Sequence, residues 1–451
     1  MLIPSLFLTA LFSMISLSRW RYGIIAVLVV GVLQDPFRKL TSGVPAYYIL
    51  WSAVIFGLAA FSLWSRGRLI PMRLLALGDK GLQTLGRGLL LLIALHAVHS
   101  LLRWGSPPLV ALGLLFYFAP VIALLVGWTY ARSLDDLRRF MRYYVVIVGT
   151  VSLTVFLSPG YQEAFPVLRE IGAFEGKRLI IYDVGTALES YSGLFRVGEL
   201  AAWHAATTAI FLLILATDRS SIGFKILAGI VIAFCVWAIV LTGRRKMLMA
   251  LTMFMILQWG GLALLRRGFS RMIVTGVLLG ALGSFSFTFF ERDTESSLYL
   301  ERGVTVFENV DERVSTSFDL MRSAIARSGG LGLGVGVSSQ GGRYAGVSSN
   351  LVGGSAEAGI GKFVVELGIL GLLLFVGLAW RLARRAWQLF GRLARRDDRL
   401  LLYGVSFGAF LAANVATFLV ATQLFGDPFV LIVIGLCAGM LFSILHTARA
   451  G

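Results

Sequence analysis

Hydrophobic positions in this chain fall into long runs that short polar joints separate. Most runs hold roughly 17 to 25 residues, enough for one helix to cross about 30 Å of hydrocarbon. The pattern predicts an all-α polytopic membrane protein, a single integral-membrane domain over residues 1–451, with about 12–13 transmembrane helices. The first two runs are short, and form either two spans or a hairpin that enters the bilayer only in part. The runs lie at 2–17, 23–37, 44–64, 84–103, 107–130, 143–158, 197–216, 222–242, 247–265, 272–290, 360–380, 400–421 and 428–447.

The composition agrees with a membrane protein and excludes several other classes. Hydrophobic residues make up 57% of the chain and charged residues 14%, and the mean hydropathy is +0.81, far outside the range of soluble domains. The two cysteines, Cys235 and Cys437, lie inside apolar runs, so we expect neither a disulfide framework nor a metal site from them. No charged segment precedes the first run, and we predict no removable signal peptide.

The positive charges indicate which way the chain crosses the membrane. When the joints are assigned alternately to two faces, one face receives most of the 41 Lys and Arg residues and few of the 24 acids. The positive-inside rule makes that face cytoplasmic. The net charge of +17 is therefore a topology signal, and we expect no nucleic-acid partner.

Two segments on the opposite, outer face are too long to be simple connectors: 159–196 and 291–359. Within the second, Ser315–Ser317 precede apolar residues at helical spacing, and Gly329 and Gly330 follow them. This pattern predicts a capped amphipathic helix that lies on the membrane or on other helices. The glycine- and serine-rich stretch from residue 331 to 361 predicts a flexible loop.

Three consecutive cations, Arg244, Arg245 and Lys246, occupy a very short outer joint. Cations in short outer joints oppose correct insertion, so a compensating anion at the membrane surface is expected. Arginine suits phosphate because its guanidinium donates two parallel hydrogen bonds. The alternative is that these side chains extend to lipid phosphates, as single arginines at helix ends do.

Two further segments contain candidate site residues. Arg196 lies at an outer helix start, where it and the helix N-terminus would bind an anion and Glu199 would orient the arginine; the alternative is a local surface ion pair. Glu357 lies at the edge of the next predicted helix, where partial desolvation would suit a general base. Its alternative role is to cap the first turn of that helix.

These motifs, in this order and on this face, resemble those of the O-antigen polymerase and O-antigen ligase superfamily of integral-membrane, GT-C-type glycan transferases. The segment Gly193–Glu199 resembles that family's arginine-containing helix start, and Thr242-Gly243-Arg244 is similar to its Gly-x-Arg turn. The late glycine pattern Gly330–Gly336, followed by Glu366–Gly371, completes the resemblance, which covers most of the chain.

The resemblance implies a metal-independent, inverting glycosyltransferase in the bacterial inner membrane, with its active site facing the periplasm. The donor would be an undecaprenyl-pyrophosphate-linked glycan, with a second glycan as acceptor, membrane lipids around the protein, and no cofactor or nucleotide sugar. The resemblance leaves open whether a protein that regulates glycan chain length is a further partner. Arg196 and Arg244 would bind the pyrophosphate, with Arg245, Lys246 and Arg313 as additional ligands. The two long outer segments would be periplasmic loops.

One departure from the family favours polymerisation over ligation. The ligases have a His-Asn pair after the glycine-rich stretch, whereas this chain has Ser355-Ala356-Glu357-Ala358-Gly359. Glu357 is then the candidate catalytic base. The competing hypotheses are a lipid-linked oligosaccharide flippase or other transporter, and a non-catalytic component of polysaccharide export.

Overall fold

The computed structural model describes residues 2–70, 75–171, 180–183, 186–218, 221–265, 298–299, 310–339, 359–420 and 423–450. Helices dominate this part of the chain. They are α1 (Leu2–Ser18), α2 (Trp20–Leu40), α3 (Trp51–Ser65, after a 3₁₀ turn at Ala46–Leu50), α4 (Lys80–Trp104), α5 (Pro107–Tyr130), α6 (Leu134–Tyr161), α7 (Gly198–Thr217), α8 (Ile222–Leu241), α9 (Lys246–Leu265), α10 (Val310–Ser328), α11 (Gly359–Leu393), α12 (Asp398–Val420) and α13 (Pro428–Ala450). Two short strands, β1 (Ile180–Asp183) and β2 (Thr186–Glu189), pair as an antiparallel hairpin.

Ten of the described helices are long and apolar enough to cross a membrane: α3 with its preceding turn, α4 to α9, and α11 to α13. The expectation of an all-α, multi-pass membrane protein is therefore confirmed. The first two runs form separate helices, α1 and α2, which meet at Arg19. The run at 272–290 lies outside the described residues, and the hairpin within 159–196 was not predicted.

The described chain divides into two compact units. The first unit comprises Met1–Gly67, Ala131–Glu308 and Asp398–Ala413. The second comprises Arg68–Tyr130, Asn309–Asp397 and Asn414–Gly451.

Helix α7 forms the core of the first unit, where it packs against α6, α8 and α9. It is buried along almost its whole length, as expected for a helix that is apolar on every side. Two of its polar side chains have partners: the Tyr144 hydroxyl lies 2.7 Å from His204 Nδ1, and Thr208 Oγ1 donates to the His204 carbonyl. The rigid surroundings of α7 fix the position of its first residue, Gly198.

Close helix contacts in the second unit depend on glycine. Helix α13 packs along α5, and a Cβ added at Gly127 would lie 2.3 Å from the Leu436 carbonyl oxygen. A Cβ added at Gly439 would lie 2.0 Å from the Leu124 carbonyl oxygen. Small residues let helix backbones approach in this way inside membranes, where lipid supplies no hydrophobic drive for association.

The prediction of a flexible loop is wrong for residues 331–339, which hydrogen bonds and packing hold in place within the second unit. Residues 340–358 lie outside the described residues. The backbone N–H of Leu333 donates to the Val365 carbonyl at 2.6 Å, and Trp104 Nε1 donates to the Leu333 carbonyl at 3.0 Å. Val335 is fully buried. Glycine here permits close backbone contact rather than mobility.

Gly336 is one of these contact positions, and replacing it with alanine should destabilise the second unit. Its φ is +90°, and an added Cβ would lie 2.3 Å from the Leu109 carbonyl oxygen. We expect the Gly336→Ala variant to lose about 2 kcal/mol or more in free energy of unfolding. The matched control is Gly86→Ala in α4, where an added Cβ meets no atom within 4 Å. Thermal unfolding in detergent measures both, and equal melting temperatures would contradict the expectation.

Two helices extend beyond their predicted bounds. Helix α10 begins at Val310, so Ser315–Ser317 lie inside it and the predicted cap at these residues is wrong. Helix α11, which is interrupted by non-helical backbone at Gly368 (φ +71°), continues through Leu393, since the arginine-, alanine- and leucine-rich segment after residue 380 favours helix.

Candidate functional site

Three joints assigned to the outer face meet in the first unit: the end of α2, the segment before α7, and the turn between α8 and α9. Lys39 Nζ donates to the Gly193 carbonyl at 2.8 Å, and Ser190 Oγ donates to the Thr242 carbonyl at 3.1 Å. These contacts gather six charged residues, which we name the outer-end cluster. Its members are Asp35, Lys39, Glu170, Arg196, Glu199 and Arg244.

Backbone atoms of the segment before α7 hold that segment against α6. Gly193 has a φ of +57°, and an added Cβ would lie 2.5 Å from Thr154 Oγ1. That hydroxyl accepts a hydrogen bond from the Leu194 N–H at 3.0 Å. A residue with a side chain does not fit at Gly193, so this glycine sets the path that delivers Arg196 to the cluster.

Arg196 makes a buried ion pair with Asp35, a partner that was not predicted. The Asp35 carboxylate accepts the backbone N–H of Arg196 at 3.0 Å and a guanidinium N–H at 3.3 Å. The Asp35 side chain is 1% exposed and that of Arg196 10%. The pair fixes the arginine at the start of α7.

Arg244 extends from the tight turn and contacts two carboxylates. Gly243 has a φ of +66°, and the Arg244 N–H donates to Thr242 Oγ1 at 3.2 Å. The guanidinium lies 3.3 Å from Glu199 Oε1 and 3.6 Å from Glu170 Oε1. Glu199 was expected to orient Arg196; the ion pair that the structure shows for it is with Arg244.

Glu170 links the two arginine sites. Its Oε1 accepts the Gly198 N–H at 3.1 Å, and the neighbouring Ile171 N–H donates to the Arg196 carbonyl at 2.7 Å. Burial raises the pKa of Glu170 above its usual value, an effect that the Arg244 charge opposes. A buried carboxylate held beside arginines is therefore part of the cluster.

Two polar atoms of the cluster are buried without a hydrogen-bond partner: Arg244 Nε and Glu170 Oε2. Unsatisfied buried polar atoms are uncommon in native proteins because each costs about 1–3 kcal/mol. A polar ligand or water would complete the hydrogen bonding of these two atoms.

Lys39 is a third cation of the cluster and is half-buried. It lies at the end of α2, beyond the apolar run 23–37, and burial lowers its pKa to about 7 while Asp35 and Glu170 oppose the shift. Its ammonium donates to the Gly193 carbonyl.

The lowered pKa of Lys39 gives a stability test with a definite sign. Between about pH 7 and 10.5 the unfolded chain binds a proton at this lysine that the folded chain releases, so folding stability rises with pH. When the pH is raised from about 7 to 9.5, we expect the free energy of unfolding of the wild-type protein to increase by about 2 kcal/mol more than that of Lys39→Met. The exposed Lys80→Met is the matched control. Thermal unfolding at both pH values measures the difference, and an equal gain in all three proteins would refute the expectation.

The remaining predicted site residues are placed differently. Arg245 and Lys246 are half-buried at the start of α9, next to the cluster in sequence. Arg313 falls in α10, in the second unit, and its side chain is not described. Glu357 lies outside the described residues. The structure therefore brings Arg196, Glu199 and Arg244 together.

Three members of the cluster were missed by the sequence reasoning: Asp35, Lys39 and Glu170. One signal was present, because Asp35 is an acid within a predicted membrane span, and such residues mark functional sites by default. Nothing in the local sequence marks Glu170 in the same way.

Across the described residues, no group of three or more His, Cys, Asp and Glu side chains is arranged to hold a metal ion. The chain matches no protein-family model and no curated protein.

Proposed function

We propose that the protein is a periplasmic-side glycosyltransferase that polymerises undecaprenyl-pyrophosphate-linked glycan repeat units in O-antigen or exopolysaccharide synthesis. The observation that carries the proposal is the outer-end cluster. Arg196 and Arg244, which the resemblance singles out as pyrophosphate ligands, lie in one cluster joined through Glu170. The unpartnered Arg244 Nε adds support, because a phosphate oxygen would satisfy it.

The cluster suits the departure of a pyrophosphate from a sugar. In the proposed reaction the acceptor hydroxyl attacks the anomeric carbon, a new C–O bond forms with inversion, and the bond to the pyrophosphate oxygen breaks. Negative charge then grows on the leaving pyrophosphate, where Arg196 and Arg244 would stabilise it, with Arg245 and Lys246 as further candidate ligands. Ion pairs to Asp35 and Glu199 position the two arginines before the donor binds.

The hydroxyl proton needs a base, and Glu357 is the proposed one. This assignment rests on the sequence and on the absence of the ligases' His-Asn pair. Replacing Glu357 with glutamine removes the proton acceptor with little change in size, and we expect shorter glycan chains and a lower yield. Unchanged chain length and yield in Glu357→Gln would remove this residue from the proposal.

The function itself is tested by incubating the purified protein in detergent with lipid-linked glycan, without nucleotide sugar or metal, and resolving the products by mass. A polymerase gives a ladder of products that differ by one repeat unit. The absence of a ladder, together with movement of the same lipid across proteoliposomes, would instead establish a flippase. The absence of both activities would favour a non-catalytic export component.

A further inference from the structure

The first unit contains a second charged site, formed by joints that the charge alternation assigns to the cytoplasmic face. A cavity of about 770 Å³ opens between α6, the joint from α7 to α8, and the start of α12. Its charged lining consists of Arg138, Arg139, Arg142, Arg399, Asp135 and Asp218. None of these residues belongs to the outer-end cluster.

The two acids of this cavity are engaged with one arginine. Arg138 makes ion pairs with both Asp218 and Asp135, and the Tyr403 hydroxyl donates to Asp218 at 2.9 Å. Arg399 lies 3.9 Å from Asp218. Both carboxylates are therefore already paired, and no ion pair joins either of them to Arg139 or Arg142 within the described residues.

Arg139 and Arg142 are the cations left on the rim. Both are exposed, and within the described part of the chain neither makes an ion pair or a side-chain hydrogen bond. They lie three residues apart on one face of α6, at a spacing where like charges repel. An anion between them would remove that repulsion and accept hydrogen bonds from both guanidinium groups.

The surroundings favour an anion carried by a lipid. Tyr143 and Phe224 line the cavity beside the arginines. On the same helix as Phe224, three large apolar residues are exposed, as expected of a helix face in contact with hydrocarbon: Ile222, Ile226 and Leu227. The cavity thus borders a lipid-facing surface, at the level where anionic headgroups meet cytoplasmic arginines.

We propose that this cavity binds the phosphate group of an anionic membrane lipid, with Arg139 and Arg142 as the direct ligands. Arg138, held by Asp218, positions the rim and is not itself a ligand. The apolar wall accommodates the start of the acyl chains. The proposal does not depend on the glycosyltransferase assignment, because it uses different residues and a different lipid.

The test is native mass spectrometry of the full-length protein titrated with phosphatidylglycerol, with zwitterionic phosphatidylethanolamine as the comparison lipid. We expect Arg139→Gln/Arg142→Gln to weaken phosphatidylglycerol binding by roughly tenfold or more. The matched control is Arg395→Gln/Arg396→Gln, two exposed arginines in the turn that follows α11, on the same predicted face. We expect it to retain wild-type binding.

A third variant and a competitor separate the remaining outcomes. Arg139→Lys/Arg142→Lys keeps the charge, and partial recovery of binding would support a direct phosphate contact even if the glutamine variant folds poorly. Equal binding of the two lipids by the wild-type protein, or an equal loss in the control variant, would overturn the proposal. Displacement of phosphatidylglycerol by inorganic phosphate would also overturn it, since the ligand would then be a free anion.

Discussion

Replacing Arg244 with alanine should reduce the rate of glycan polymerisation by roughly 100-fold or more, the usual cost of losing one charge-stabilising donor. Arg244 is the arginine of the cluster that contacts two carboxylates and also has a buried, unpartnered Nε. Product ladders from purified protein measure the rate. The matched control is Arg103→Ala, an exposed arginine on the same predicted face whose guanidinium lies over the Trp104 ring.

Two companion variants separate a loss of chemistry from a loss of folding. Arg244→Ala leaves the buried Glu170 without its ion pair, and Arg244→Ala/Glu170→Gln removes that unpaired charge. We expect the double variant to regain thermal stability but not activity. Arg244→Lys retains the charge without the two parallel donors and should be intermediate. Wild-type rates in Arg244→Ala would contradict the role given to this residue.

Replacing Asp35 with alanine should cost about 3–5 kcal/mol in free energy of unfolding, because it leaves the buried Arg196 without its carboxylate. The Asp35 side chain is 1% exposed and accepts hydrogen bonds from both the backbone N–H and the guanidinium of Arg196. Asp35→Asn keeps an acceptor for the backbone N–H and should lose less. Thermal and denaturant unfolding in detergent measure these differences.

The control for Asp35 is Asp319→Ala, an exposed acid of α10 whose loss should change stability by less than about 0.5 kcal/mol. The double variant Asp35→Ala/Arg196→Met replaces the whole pair with apolar groups and should recover part of the loss. If Asp35→Ala is as stable as the wild-type protein, the buried pair does not hold the start of α7 in place.

The helices were largely predictable because hydrocarbon imposes their length and composition. Each long apolar run outside 272–290 corresponds to a helix in the structure, including the short runs of α1 and α2. The glycine-rich segment was misjudged because glycine permits both mobile loops and close backbone packing. Only the tertiary contacts of residues 331–339, such as that of Leu333 with Val365, distinguish the two.

Part of the candidate site was predictable from the assignment of the joints to two faces of the membrane. Arg196 and Arg244 stood out because cations on the predicted outer face need compensation, and the structure places both in one cluster. Asp35 and Arg196 are 161 residues apart in sequence, so their pairing depends on how α2 packs against α6 and the segment before α7, and not on any local motif. Glu170 lies in a loop, where nothing in the local sequence indicates that it is buried.

The most direct test of the central claim, that the outer-end cluster binds a lipid pyrophosphate, compares the affinities of the purified protein for undecaprenyl pyrophosphate and undecaprenyl monophosphate, without added metal. We expect the wild-type protein to bind the pyrophosphate at least roughly tenfold more tightly, and Arg244→Ala to lose that preference while its affinity for the monophosphate changes little. Equal affinities for the two lipids in the wild-type protein, or an undiminished preference in Arg244→Ala, would contradict the claim.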